Sequence, residues 1–170
     1  FLITIPAYGQ DQAEQDVLSS ISLPPGFQIT VFSDEVPNAR SLEWTEDGTL
    51  FVGTRDEGSV YALRDEDQDW VADSVVTIAS GLNFPNGVAF IDGSLYVAEI
   101  SRVLRYDDIE ANLSNPPEPV VVSTDFPTEW SHGWKFIRFG PDGKLYLPVG
   151  VPCNVCESDD ARFGTIIRMN

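Results

Sequence analysis

His132 is the only histidine of the chain, and an imidazole is the side chain best suited to proton transfer near neutral pH. It lies in a short loop just before residues 135–139, a segment whose apolar residues predict a β-strand. Lys135 begins that strand, so an amine lies close to the imidazole in sequence. We interpret His132 as a candidate acid/base group.

Three further polar residues stand at matching positions in the chain. Arg40 and Lys135 each lie eight residues before the glycine of the next turn, and Asn86 lies seven residues before the corresponding glycine. One anionic ligand could therefore meet Arg40, Asn86 and Lys135 together, with His132 nearby. In the alternative interpretation, Arg40 and Asn86 cap turns and Lys135 is solvated.

The turn that positions these residues occurs three times, each time as part of a predicted hairpin. Its glycines are Gly48, Gly93 and Gly143, which are 45 and 50 residues apart, and a leucine and an aromatic residue follow each of them at a fixed spacing. Another short apolar strand follows each hairpin. Repeats of about 40–50 residues with about four strands each are typical of β-propeller blades. The sequence therefore predicts an all-β fold, a β-propeller with about three blades in this chain.

The predicted strands can be assigned to blades. Blade one takes residues 40–44, 49–54, 59–63 and 74–79, blade two takes 87–90, 94–98, 103–106 and 119–123, and blade three takes 135–139, 144–149 and 165–169. Residues 27–33 are predicted to be an outer strand of the kind that completes the last blade of a closed propeller. An open arc leaves unpaired edges, which natural sheets avoid. We therefore expect these blades to belong to something larger: a fragment, an N-terminal half, or one subunit of a composite ring.

Residues 1–22 are expected to form an N-terminal extension or linker, and residues 23–170 the partial propeller with an incomplete third blade. The apolar run Phe1–Ile5 is either a remnant of a signal peptide, the start of a processed chain, or a strand.

The charge of the chain narrows the possible functions. Ten basic residues against 27 acidic ones give a net charge of −17. A generic nucleic-acid binder needs a basic surface, so that class is excluded. No stretch approaches the length of a membrane span. The acidity favours solubility through repulsion and suits an extracellular or saline setting.

Several segments resemble the soluble glucose/sorbosone dehydrogenases, and most closely the sorbosone and pyranose dehydrogenase branch. These segments are Leu23–Phe27, Gly81–Phe90, Leu95–Ala98, His132 with Phe139–Tyr146, and Val149–Cys156. The resemblance runs from about residue 23 to residue 170. The histidine segment joined to Cys-x-x-Cys is its most specific part.

The resemblance implies a six-bladed propeller that holds pyrroloquinoline quinone (PQQ), with calcium at the quinone. His132 would be the general base that takes a proton from a sugar hydroxyl while hydride passes to PQQ. Arg40, Asn86 and Lys135 could meet the cofactor's carboxylates by their position. An exported enzyme, periplasmic or extracellular, acting on a sugar or aldose is implied, with an unknown electron acceptor.

The chain departs from that family in two ways. Glucose-type members carry an aspartate where this chain has Val151, although the sorbosone-like branch also differs there. The family's main PQQ and calcium ligands fall beyond residue 170, so we expect these residues to be only part of the enzyme. The missing propeller half would come from the same polypeptide or from a second chain.

Cys153 and Cys156 are the only cysteines. Covalent haem is disfavoured because Glu157, not histidine, follows the Cys-x-x-Cys motif. Two cysteines are too few for a structural zinc site without further ligands. A disulfide fits best, and it indicates an oxidising compartment.

Four aspartates form a possible calcium loop, with carboxylates at its positions 1, 3, 5 and 9: Asp65, Asp67, Asp69 and Asp73. Positions 6 and 12 lack the glycine and glutamate of an EF-hand, so this is not one. The segment is either a calcium site or a solvated acidic loop.

Two other functions remain as alternatives to the dehydrogenase. The segment Pro85–Phe90 also resembles lactonase-like propellers, in which Asn86 would bind a divalent metal. A non-catalytic propeller fragment used for assembly is the third hypothesis.

Overall fold

The computed structural model describes residues 17–170, and the described chain is almost entirely antiparallel β-sheet. The possible signal remnant, Phe1–Ile5, lies outside the described residues. The first sheet contains, in spatial order, β1 (Ala39–Trp44), β2 (Thr49–Thr54), β3 (Val60–Arg64) and β4 (Ser74–Ala79). The second contains β5 (Gly87–Ile91), β6 (Ser94–Ala98), β7 (Val103–Tyr106) and β8 (Val120–Ser123). The third contains β9 (Arg138–Phe139), β10 (Leu145–Val149) and β11 (Thr165–Met169). A 3₁₀ turn, Glu110–Asn112, connects β7 to β8.

The three sheets are arranged as blades of a β-propeller, which confirms the predicted fold class. Each sheet pairs its strands in chain order. The first strands of neighbouring sheets lie side by side, β1 against β5 and β5 against β9. This is how the innermost strands surround the axis of a propeller.

The hairpins at the inner edge form because their turn glycines adopt positive φ angles. The φ angles of Gly48, Gly93 and Gly143 are 82°, 78° and 69°, a region that costs glycine little. In the β5–β6 hairpin Asp92 is also positive, at 48°, which makes the two-residue turn that twists with the strands.

The hydrophobic core lies in two layers, one on each side of the second blade. Phe51 and Val60 of blade one pack with Leu95 and Leu104 of blade two. Strands of blade two pack on their other side against residues of blade three, including Ile137. Blade two is therefore covered on both faces, which makes it the centre of the described arc.

Two predicted strands were wrong in extent. Residues 27–33 form no strand, because their backbone hydrogen bonds to the rest of the described chain are only a local one from Phe27 N to Pro24 O and a single one from Ala72 N to Phe32 O, at 2.8 Å. Residues 135–137 are excluded from β9, because the carbonyl of Lys135 accepts a hydrogen bond from the Asn86 side chain and not from a strand. In both cases the hydrogen-bond partner, not the local pattern, decides the strand.

Glycines allow the inner strands to approach one another closely. A Cβ on Gly53 would lie 2.5 Å from Asn86 O and 2.6 Å from Pro85 O. A Cβ on Gly87 would lie 2.6 Å from Lys135 O. Neither glycine has a positive φ, so it is the neighbouring backbone that excludes a side chain.

We expect Gly53→Ala to lower the free energy of unfolding by about 2 kcal/mol or more, because backbone atoms of the next blade would have to move. Gly81→Ala is the control, since that glycine has a φ of 69° and open space around it, so only backbone strain of about 1 kcal/mol applies. Urea unfolding measures both variants. An equal loss of unfolding free energy in the two variants would show that the backbone of the next blade leaves room for a side chain at Gly53.

Candidate functional site

The residues with candidate chemistry gather on one end of the blades. We call the end at which β1, β5 and β9 begin the upper face; β2, β6 and β10 end there as well. The loops of this face carry His132, Lys135 and Asn86. In propellers and other folds, ligands bind in such concave positions where several loops meet.

His132 is half-buried, and its imidazole is held by one hydrogen bond. Nδ1 lies 2.8 Å from the carbonyl oxygen of Val151. A carbonyl only accepts, so Nδ1 carries the proton and Nε2 keeps its lone pair in the neutral ring. Nε2 has no hydrogen-bond partner among the described residues. Gly150 makes this possible, because a Cβ there would collide with the carbonyl of His132.

Lys135 is buried, with 2% of its surface exposed, and its amine meets carbonyls. Nζ donates to Ile100 O in blade two and to Gly133 O, the latter at 2.9 Å. It also lies 5.2 Å from the centre of the Phe126 ring. Burial lowers the pKa of Lys135 to about 8.

Asn86 lies between the three blades. Its Nδ2 donates to Lys135 O at 2.8 Å and to the Ser41 hydroxyl at 3.3 Å. Arg40, by contrast, is exposed and makes no ion pair with any described residue. The structure thus brings Asn86 and Lys135 together, but their N–H groups donate to acceptors of the protein itself. Cofactor binding by these three residues stays a prediction.

Two residues of the upper face were missed by the sequence analysis. Trp134 lies edge-on to His132, with 6.0 Å between ring centres, and the Arg55 guanidinium carbon lies 4.2 Å from the centre of the Trp134 ring. Trp134 is two residues from His132, and Arg55 directly follows β2. The repeat gives no signal for Arg55, because the residues seven after the other two turn glycines are Ile100 and Gly150.

A third missed residue, Glu99, is 1% exposed and shapes the loop that carries Asn86. Its carboxylate accepts from the Asn83 backbone N–H at 2.5 Å and from Arg102 Nε. A buried carboxylate needs such partners, and here they hold the loop before β5 against the loop after β6.

The predicted disulfide between Cys153 and Cys156 is confirmed. It closes the loop that begins two residues after Val151, the residue whose carbonyl holds His132. The disulfide therefore restrains the chain next to the imidazole.

The acidic loop lies between β3 and β4, at the end of blade one opposite the upper face. Asp65, Asp67 and Asp73 each offer a carboxylate oxygen within 4.8 Å of the others. Asp69 is not part of this group, and its carboxylate accepts from Val71 N at 2.9 Å, as those of Asp65, Asp67 and Asp73 accept from other backbone N–H groups of the loop. The charge of Asp69 is the main cause that raises the pKa of Asp67. Calcium binding here stays a prediction, and it would be remote from His132.

In the described part of the chain, no helix is long and apolar enough to cross a membrane.

Comparison with known proteins gives one family and a shared fold. A family model for a domain of unknown function, DUF7133, matches residues 13–166. An uncharacterized protein of Borreliella burgdorferi is 19% identical over 103 residues, which are 60% of this chain and 25% of that protein.

Three similar solved structures come from enzymes. The PQQ-bound aldose sugar dehydrogenase of Streptomyces coelicolor is 21% identical with a TM-score of 0.61, covering 83% of this chain and 47% of that one. The holo PQQ domain of pyranose dehydrogenase from Coprinopsis cinerea is 14% identical with a TM-score of 0.61, covering 73% and 30%. A calcium structure of the carbohydrate-active enzyme family AA12 from Trichoderma reesei is 18% identical with a TM-score of 0.62, covering 72% and 32%. This chain spans less than half of each protein, and the likeness at these identities shows the fold.

We expect the stabilising effect of Lys135 to depend on pH. Its folded pKa of about 8 lies below the ordinary value of 10.5, so between these values the unfolded chain binds a proton that the folded chain does not. Stability due to Lys135 therefore rises with pH across that window, by at most about 3 kcal/mol. Urea unfolding of wild type and Lys135→Met at pH 7 and pH 10 should show a larger difference at pH 10. Lys144→Met, in a surface turn, is the control; a constant difference for Lys135→Met would contradict the prediction.

For the acidic loop, we expect Asp67→Asn to raise the melting temperature without calcium, because it removes repulsion from Asp69 and its neighbours. Calcium should raise the melting temperature of the wild type and leave that of Asp67→Asn unchanged. Asp47→Asn, which removes an exposed charge in another turn, should respond to calcium as the wild type does. An equal calcium response in all three proteins would mean that the loop is only a solvated acidic segment.

Proposed function

We propose that this chain, which belongs to the DUF7133 family, forms part of a quinone-dependent sugar dehydrogenase with His132 as its general base. The observation that carries the proposal is the imidazole on the upper face of a propeller, with Nδ1 committed to Val151 O and Nε2 free. The fold shared with the PQQ-bound sugar dehydrogenases supports it. The activity, the substrate and the electron acceptor of the whole protein belong to this proposal.

The free Nε2 would accept the proton of a sugar hydroxyl. As the ring gains that proton, Nδ1–H still donates to Val151 O, so the carbonyl dipole stabilises the imidazolium and keeps the ring in place. PQQ, when bound, supplies the chemistry of accepting the hydride from the carbon that bears the hydroxyl. The proton and the hydride together account for the two hydrogens lost in the oxidation.

The residues present fit a carboxylated quinone in part. Arg40 is an exposed cation whose donors are free among the described residues. Asn86 and Lys135 contribute instead by fixing the loops around the site, since their donors meet protein acceptors. Further cofactor and calcium ligands would come from the remaining blades.

An exposed face of blade three supports an attachment to further blades. Phe136 is 52% exposed and Ile166 is 74% exposed, and both line the same shallow groove of about 260 Å³ on that blade. Aromatic and aliphatic side chains at such exposure are stabilised when another sheet covers them. We propose that the remaining propeller half, in the same polypeptide or a second chain, covers this face.

The disulfide and the net charge of −17 support a periplasmic or extracellular location. No observation on the described residues supports the lactonase-like alternative. A metal at Asn86 Oδ1 would need acidic ligands beside it, and the one metal-capable acidic group in residues 17–170 lies at the opposite end of blade one.

The test is turnover of an aldose by the native particle, in which the remaining blades are present, after addition of PQQ and calcium. The mass of the intact particle is measured first, and reduction of a dye then reports activity. His132→Ala should lower the rate by about 10²–10⁴-fold, the contribution of a general base.

Asp47→Asn should retain the wild-type rate, since it removes a charge at the end of blade one opposite the upper face. A six-bladed particle that binds PQQ but keeps full activity in His132→Ala would refute the role of His132. A particle that binds no PQQ would refute the dehydrogenase itself.

A further inference from the structure

Arg55 is a half-buried cation without an anion in a strongly acidic chain. The arginines with ion pairs in the described chain are Arg102, Arg105, Arg138, Arg162 and Arg168. The Arg55 side chain has no ion pair and no hydrogen bond among the described residues, although its backbone carbonyl accepts from Gly58 N at 3.0 Å. Its Nε is shielded from water without any acceptor. Nη1 and Nη2 also lack an acceptor among the described residues but are not shielded, so the charged end of the guanidinium is available to a ligand.

Trp134 holds the guanidinium by its flat face. The guanidinium carbon lies 4.2 Å from the centre of the indole, which is the geometry of a cation–π contact. Stacking uses the face of the guanidinium and leaves the donors of Nη1 and Nη2 at its outer edge, whereas Nε itself is shielded. That edge has the spacing of the two oxygens of a carboxylate, which it can bind with two parallel hydrogen bonds.

The same indole also contacts the candidate base. Trp134 and His132 are edge-on at 6.0 Å between ring centres, so Arg55 and His132 both border one aromatic ring. A ligand with a carboxylate at one end and a hydroxyl at the other could therefore reach Arg55 and the free Nε2 of His132 together. A pyranose ring with a carboxylate substituent has this form.

Two acidic residues follow Arg55 and oppose the binding of an anion. Asp56 and Glu57 are both exposed, and they bond to Asn38 Nδ2 at 3.5 Å and to the Tyr61 hydroxyl at 3.3 Å, respectively. Solvent and salt weaken the repulsion from exposed charges. Solvent and salt weaken a pair of hydrogen bonds to a half-buried guanidinium less than they weaken this repulsion. The site therefore favours one specifically bound carboxylate over a general attraction of anions.

We propose that Arg55 and Trp134 form a subsite for the carboxylate of an acidic sugar whose reacting hydroxyl lies at His132. The inference rests on the proposed function, because it takes His132 as the reacting end. It adds the class of substrate: a sugar acid is preferred over the neutral sugar, which would leave the guanidinium unpaired.

The test measures binding alone, without quinone and without turnover. The native particle is titrated with D-glucuronate, with its uncharged methyl ester and with D-glucose. Binding is measured by calorimetry and by the nuclear magnetic resonance signal of the Trp134 indole N–H. Glucuronate should bind about tenfold tighter or more than the two uncharged sugars, as expected for hydrogen bonds to a charged group. In Arg55→Gln that preference should disappear.

Two variants separate this subsite from a general effect of charge. Arg64→Gln removes the same charge from an arginine without an ion pair among the described residues, at the end of β3 opposite the upper face, and should keep the preference for glucuronate. Arg55→Lys keeps the charge but loses the planar donor edge, so its preference should be weaker than in the wild type. If Arg55→Gln fails to fold by circular dichroism, Arg55→Lys still decides the question.

Three results would overturn the proposal. These are equal binding of all three sugars by the wild type, an equal loss of the preference in Arg64→Gln and Arg55→Gln, or a full preference in Arg55→Lys. PQQ alone is titrated as a further arm: Arg55-dependent binding of PQQ with no preference for glucuronate would assign the carboxylate to the cofactor and refute an acidic substrate. Because none of these measurements uses turnover, failure of the subsite and failure of the dehydrogenase activity are separate outcomes.

Discussion

The buried hydrogen bonds of Asn86 and Lys135 are the constraint on which the upper face depends. Asn86 joins Ser41 of blade one to the backbone of Lys135 in blade three. Lys135 in turn donates to Ile100 of blade two. Apolar packing between sheets tolerates small shifts, whereas a buried amide or ammonium must meet its acceptors within hydrogen-bond distance. These two side chains therefore fix the relative positions of the loops more closely than the core layers alone.

The chemistry of the upper face follows from that fixed backbone. His132 and Trp134 lie in the loop that Lys135 holds, and Gly150 lets the chain after β10 pass close enough for Val151 to bond the imidazole. The disulfide restrains the chain after β10, just beyond Val151. The catalytic proposal and the carboxylate subsite therefore both depend on contacts between blades, since Arg55 reaches Trp134 from blade one. Arg55 and His132 each contact Trp134 on the upper face, whereas the cluster of aspartates lies at the opposite end of blade one.

Much of the fold could be predicted because it depends on a few neighbouring residues. Strands β2, β4, β6, β7 and β11 begin and end where the sequence predicts. Alternating apolar residues and a glycine that adopts positive φ act within one hairpin. The prediction failed at residues 27–33, whose pattern resembles a strand but which gain no sheet partner in the described chain, and at residues 135–137, whose backbone pairs with the Asn86 side chain.

The sequence by itself determined the blade repeat, the polar residues at the start of each inner strand, the single imidazole and the paired cysteines. Only the tertiary structure decided what those polar groups contact. It turned the donors of Asn86 and Lys135 inward, left Arg40 in solvent, and placed Arg55 on Trp134 beside the imidazole. The physical reason is that turn and strand preferences are local, whereas a side chain's hydrogen bonds depend on acceptors that other blades bring near it. Those acceptors are far away in the chain, so no spacing within one repeat records them.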